Sequence, residues 1–120
     1  MPKWNSRAFG LEGERMAAEF LAGQGFEILE RNYRAGRHGE IDLIAKKGEI
    51  LLFVEVKSRR GAVYGGPLYS ISARKKKALR SAASQYLAVH PQHHSRGTLC
   101  RFDMISFESG ALSWVEDIFR

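Results

Sequence analysis

GEIDLIAKKGEILLFVEVK, residues Gly39 to Lys57, contains two apolar-rich runs, Glu40–Ala45 and Ile50–Lys57, separated by Lys46-Lys47-Gly48-Glu49. Both runs are rich in β-branched and aromatic residues, so the stretch is predicted to be a β-hairpin. With Lys47-Gly48 as the two-residue turn, Lys46 faces Glu49, Asp42 falls opposite Phe53 and Glu40 opposite Glu55. Asp42 and Glu55 are then diagonal neighbours on one face. Side chains alternate along a strand, so Lys57 shares that face, while Ile41, Leu43, Leu52, Val54 and Val56 point to the other. Carboxylates this close call for a cation between them, and a divalent metal ion would serve. An ordinary amphipathic hairpin with a wet polar face and a loose Glu55-Lys57 pair would give the same spacing.

Working outward, the preceding text FGLEGERMAAEFLAGQ, from Phe9 to Gln24, is predicted to be a helix capped by Gly25. Its apolar stripe includes Ala17, Ala18 and Leu21, and Glu14 lies three, four and seven residues before them, on the buried side. An acid there either has a task in the interior or complements the helix dipole. Phe26 to Arg34 reads as a strand, followed by a basic loop through Arg37 to Gly39. After Lys57, the run from Ser58 to Pro67 is glycine-rich and includes Arg59 and Arg60; it is expected to touch the ligand.

Ser72 is the predicted N-cap of a helix reaching about His90 and stopped by Pro91. Leu79, Ala82, Ala83 and Tyr86 form its buried stripe, while Arg74, Lys75, Lys76, Lys77 and Arg80 crowd the first two turns. That cluster is either a solvated face or a set of phosphate contacts. His90, His93 and His94 near Cys100 match no zinc spacing. Thr98–Phe107 and Ala111–Ile118 read as two further strands around a turn at Glu108-Ser109-Gly110. The expected order is helix, three strands, helix, two strands: a single α/β domain over residues 1–120 with a mixed sheet, residues 1–8 being flexible. The second helix would cross between neighbouring parallel strands, and both helices would cover the sheet.

The chain has 120 residues, enough for one core that buries roughly two thirds of the unfolded surface. One cysteine excludes an internal disulfide. The N-terminus lacks a signal-peptide pattern and no apolar run approaches membrane-spanning length, so a cytoplasmic protein without a membrane partner is expected. With 19 Lys and Arg against 13 Asp and Glu, the net charge of +6 favours an anionic partner such as nucleic acid.

Glu14 on the first helix, Asp42 on the second strand and Glu55-Val56-Lys57 on the third resemble the PD-(D/E)XK restriction-endonuclease-like superfamily. The strings GERMAAEFL, ILERNYR, GEIDLIA, FVEVKSR, KKKALRSAASQYL and RFDMISF more closely resemble the YraN-like family, whose members are described as related to archaeal Holliday junction resolvases. Ile41 stands where the superfamily motif has proline. The resemblance implies Mg²⁺-dependent cleavage of phosphodiesters in branched or flapped DNA, with Mn²⁺ as a substitute ion. Catalysis would then fall to Glu14, Asp42, Glu55 and Lys57, and metal binding to Asp42, Glu55, the Val56 carbonyl and Glu14. Arg37, Arg59, Arg60, Arg74, Lys75, Lys76, Lys77 and Arg80 would hold the backbone, and two copies would pair as a homodimer. The alternative implication is a nucleic-acid-binding protein that keeps the fold without catalysis.

Overall fold

The computed structural model describes residues 6–59, 71–108 and 110–119, with the side chains of residues 6–11 and 59 excepted. Most of the basic loop after Arg59, including Arg60, and the first five residues lie outside them. The elements are α1 (Ser6–Gly23), β1 (Glu27–Arg34), β2 (Glu40–Lys47), β3 (Ile50–Arg59), α2 (Ala73–Val89), β4 (Leu99–Glu108) and β5 (Ala111–Phe119). Short 3-10 turns cover Gly36–His38 and Pro91–His93. The order and the α/β class match the expectation, and α1 begins three residues before Phe9.

The ends of the helices follow from side-chain and backbone capping. Phe26 N–H donates to the Leu21 carbonyl and Gly25 N–H to that of Ala22, both at 3.0 Å, so α1 ends in a left-handed glycine cap. Ser72 Oγ accepts from Lys75 N–H at 3.1 Å to open α2, and Pro91 follows its last turn.

The strands form one sheet in the order β1-β2-β3-β4-β5. Neighbours are antiparallel except β3 and β4, which run parallel and are joined by the α2 crossover. Each helix buries its stripe on one face. Ala17, Ala18 and Leu21 pack with Leu43, Ala45, Leu52, Val54, Ile105 and Phe107. Leu79, Ala82, Ala83 and Tyr86 pack with Ile41, Ile44, Leu51 and Phe53. Hence β2 and β3 are covered on both sides, and the polar face expected of the hairpin is wet only near its end.

Three details of the hairpin differ from the sequence reading. The turn is Gly48-Glu49, not Lys47-Gly48, because Lys47 pairs with Ile50 and Ile44, not Asp42, pairs with Phe53. Glycine thereby takes the first turn position with φ of +58°, which a lysine would adopt only under strain. The slip is two residues, so side-chain faces are preserved, and one step past Leu43–Val54 the same register brings Asp42 level with Glu55 instead of diagonal to it. Finally, Ile41 joins the α2-side core although Leu43 joins the α1-side core. Alternation breaks at Asp42, just where the β2–β3 pairing stops.

Candidate metal and nucleic-acid site

Asp42 sits where β2 parts from β3. Its Oδ2 accepts the Val56 N–H at 2.8 Å, so a carboxylate takes the place of a strand partner's carbonyl. This bond fixes the carboxylate where the β2–β3 ladder ends. Val56 donates that amide N–H and packs its side chain against the α1-side core.

Glu55 follows the buried run of β3 and is itself 8% exposed. Its carboxyl is pushed up to about 7, first by burial and then by the charge of Asp42, with Lys75 pulling the other way. Lys75 Nζ lies 3.3 Å from Glu55 Oε2. Lys75 thus belongs to the acidic site through α2, a role its place in a basic run did not reveal. Lys57 is half-buried on the same continuous strand, two residues on, and makes its own polar interactions.

Glu14 comes from α1. Its carboxyl is raised by burial and then by Asp42, while a hydrogen bond with Asn32 opposes the rise. Glu14 Oε1 is buried with no hydrogen-bond partner. Asn32 holds a left-handed backbone at φ of +52° on β1, a conformation asparagine tolerates better than most residues. Its proximity to Glu14 could not be read from the strand pattern.

Ser58 was also missed. Its Oγ is buried and unpartnered, and a Cβ built on Gly13 would stand 2.0 Å from it. Gly13 therefore lets α1 close on β3 beside Glu14. The glycine preceding that acid in GERMAAEFL was the available signal.

Among the described residues, no three His, Cys, Asp or Glu side chains converge tightly enough to hold a metal ion. Asp42 and Glu55 are the pair that would take one, with Glu14 alongside. This donor set fits Mg²⁺, which prefers oxygen, is commonly bound through one or two carboxylates, and keeps several waters. The unpartnered Glu14 oxygen and the mutual repulsion of Asp42 and Glu55 are the features a cation would relieve.

The basic residues divide. Arg74 and Lys77 are exposed at the start of α2. Lys76 and Arg80 lie over the Phe119 ring at 6.0 and 4.8 Å, on the side of β5. Exposed Arg37 lies in the turn that joins α2 through the His38 Nδ1 to Ser81 Oγ contact at 2.8 Å. Arg59 ends β3, its side chain outside the described residues. A cavity of about 480 Å³ opens away from the acids, lined by Leu99, Cys100, Arg101, Phe102, Asp117 and Phe119. Among the described residues no helix is long and apolar enough to cross a membrane.

Residues 13–107 match the model of the uncharacterised protein family UPF0102. A UPF0102 protein of Symbiobacterium thermophilum is 49% identical over 105 residues, covering 88% of this chain and 86% of its own. One from Alcanivorax borkumensis is 42% identical over 115 residues, covering 92% and 90%. One from Alkalilimnicola ehrlichii is 44% identical over 110 residues, covering 92% and 85%.

Proposed function

This chain belongs to the UPF0102 family, and we propose that it is a cytoplasmic Mg²⁺-dependent nuclease that hydrolyses phosphodiester bonds in branched or flapped DNA. The observation that carries this reading is the meeting of Asp42 and Glu55 at the point where β2 and β3 part, with Glu14 and its unpartnered oxygen beside them. In the half-buried Asp42 and buried Glu55, each acid raises the cost of charging the other, a cost that a bound cation would offset.

Bound Mg²⁺, or Mn²⁺ in its place, supplies Lewis-acid polarisation of a phosphoryl oxygen and stabilises the charge that builds there. Asp42 and Glu55 would hold the ion, and the Val56 N–H keeps Asp42 oriented toward it. Glu14, its carboxyl raised by burial, stands ready to accept a proton from an attacking water. Lys57, on the strand face of Glu55, orients that water through Nζ and offsets charge on the phosphoryl oxygens. Arg37, Arg74 and Lys77 contact phosphates on either side, which favours recognition of backbone shape over sequence. Two paired copies would present two such sites to one branched substrate.

The experiment is cleavage of four-way, flapped and single-stranded DNA by the purified protein with Mg²⁺ or Mn²⁺. Wild type cuts, while Asp42→Ala and Lys57→Ala bind without cutting. Equal inertness of all three proteins across these substrates overturns the enzyme.

The first turn of α2 favours a second reading, nucleic-acid binding without cleavage. It holds cations and no acid, against the helix dipole, as an anion-docking surface would. Salt-sensitive DNA binding indifferent to metal would support this reading over the first.

A further inference from the structure

Glu55 and Lys75 form an unequal pair. The carboxylate side chain is 10% exposed on a central strand, while the ammonium is carried by a side chain that is 41% exposed. At 3.3 Å the ammonium can leave for solvent along a flexible four-carbon stem, whereas the carboxylate cannot follow. The helix dipole does not explain the lysine's placement, since a cation in a first turn opposes it.

The local charges are also unbalanced. The charge of Asp42 acts against an ionised Glu55 more strongly than Lys75 acts for it, and Glu14 adds a further acid beside Asp42. A divalent ion held by the carboxylates would supply the charge that Lys75 does not and would weaken the attraction between Lys75 and Glu55.

We propose that Lys75 is an exchangeable counter-ion: it holds Glu55 in the metal-free protein, yields that carboxylate to a divalent cation, and then binds a backbone phosphate of the nucleic acid. The proposal rests on Asp42 and Glu55 being the metal ligands. It makes metal and nucleic-acid binding mutually reinforcing, because the ion frees a phosphate contact and an occupied phosphate contact frees the ion's ligand.

The test uses the full chain and compares wild type with Lys75→Met, which keeps the stem and removes the charge, and with Lys75→Gln. Mn²⁺ binding is followed by electron paramagnetic resonance without DNA. Both variants are expected to bind Mn²⁺ several-fold more tightly than wild type. Binding of four-way DNA is then measured against salt, in EDTA and in Ca²⁺ at a concentration shown to displace Mn²⁺ from the wild type. The wild-type salt slope should steepen by about one phosphate contact when Ca²⁺ is added, and the slope of Lys75→Met should not.

Wild type that binds Mn²⁺ with an affinity the variants leave unchanged or weaken would make the pair structural and overturn the exchange alone. A calcium-dependent steepening that persists in Lys75→Met would do the same. Wild type that binds no Mn²⁺ removes the metal reading and the exchange with it.

Discussion

Val56 donates its backbone N–H to Asp42 Oδ2 at 2.8 Å across the gap where β2 and β3 cease to pair. One side chain thus does two jobs: it terminates a β-ladder and carries charge toward Glu55. These jobs separate chemically, because an amide can accept the same N–H without the charge.

Asp42→Asn is therefore expected to keep the fold and lose the metal. Removing the carboxylate that disfavours charged Glu55 should stabilise the metal-free protein by about 1 kcal/mol. Asp42→Ala leaves the Val56 N–H without its acceptor and should be less stable than Asp42→Asn by about 1–2 kcal/mol. Urea unfolding in EDTA, alongside Mn²⁺ binding, checks both. Asp42→Asn binding Mn²⁺ as wild type does would contradict the assignment.

Stability of the metal-free protein should rise as pH falls from 8 to 5. The folded carboxyl of Glu55 titrates near 7 against an ordinary 4.5, so in this window the folded state binds more protons than the unfolded one. At 1.36 kcal/mol per unit, the Glu55 contribution is at most about 3 kcal/mol, gained on acidification and lost above pH 7. The comparison is with Glu55→Gln, which lacks this increment; parallel stability-against-pH curves for the two proteins in EDTA would refute it.

The approach of α1 to β3 tolerates no side chain at Gly13. Gly13→Ala would push a methyl into Ser58 Oγ and should cost about 1–3 kcal/mol. Ser58→Ala alone removes a buried hydroxyl that has no partner and should be neutral or slightly stabilising. Together the two changes should cost less than Gly13→Ala alone, a coupling that a double-mutant cycle in urea measures. Strict additivity would mean the helix moves away instead.

Asp103 has a structural task that its place in the RFDMISF string did not disclose. Wholly buried, it accepts from Arg101 Nε and Nη2, Trp114 Nε1 and the Asp117 N–H, each at 2.9 Å. These bonds tie the end of β5 to β4 where their register shifts. Asp103→Ala strands the Trp114 indole N–H and leaves Arg101 its contact with Glu116 at 2.9 Å, and should cost about 2–3 kcal/mol. Amide exchange in β5 should accelerate before that in β2 and β3.

The order of elements, both buried helical stripes and the capping residues Ser72 and Gly25 were legible in the chain, because periodicity and capping act within a few residues of each other. The hairpin turn was misplaced by one residue and its register by two. A slip of two residues leaves side-chain faces unchanged along the paired part of the hairpin, and Asp42 still meets Glu55. Ile41 lies in the other core because alternation breaks at Asp42, where the β2–β3 ladder ends while β1–β2 pairing runs on to Glu40.

By itself, then, the sequence determined an α/β chain of this family, with acids on two adjoining strands, a third acid on the inner side of a helix and a basic helix start. Only the tertiary structure decided that Lys75 meets Glu55, that Asn32 and Ser58 lie beside Glu14, and that Asp103 anchors the last strand. Those meetings depend on how far each helix slides and turns over the sheet. That placement is set by packing summed over both cores, so no single stretch of the chain encodes it.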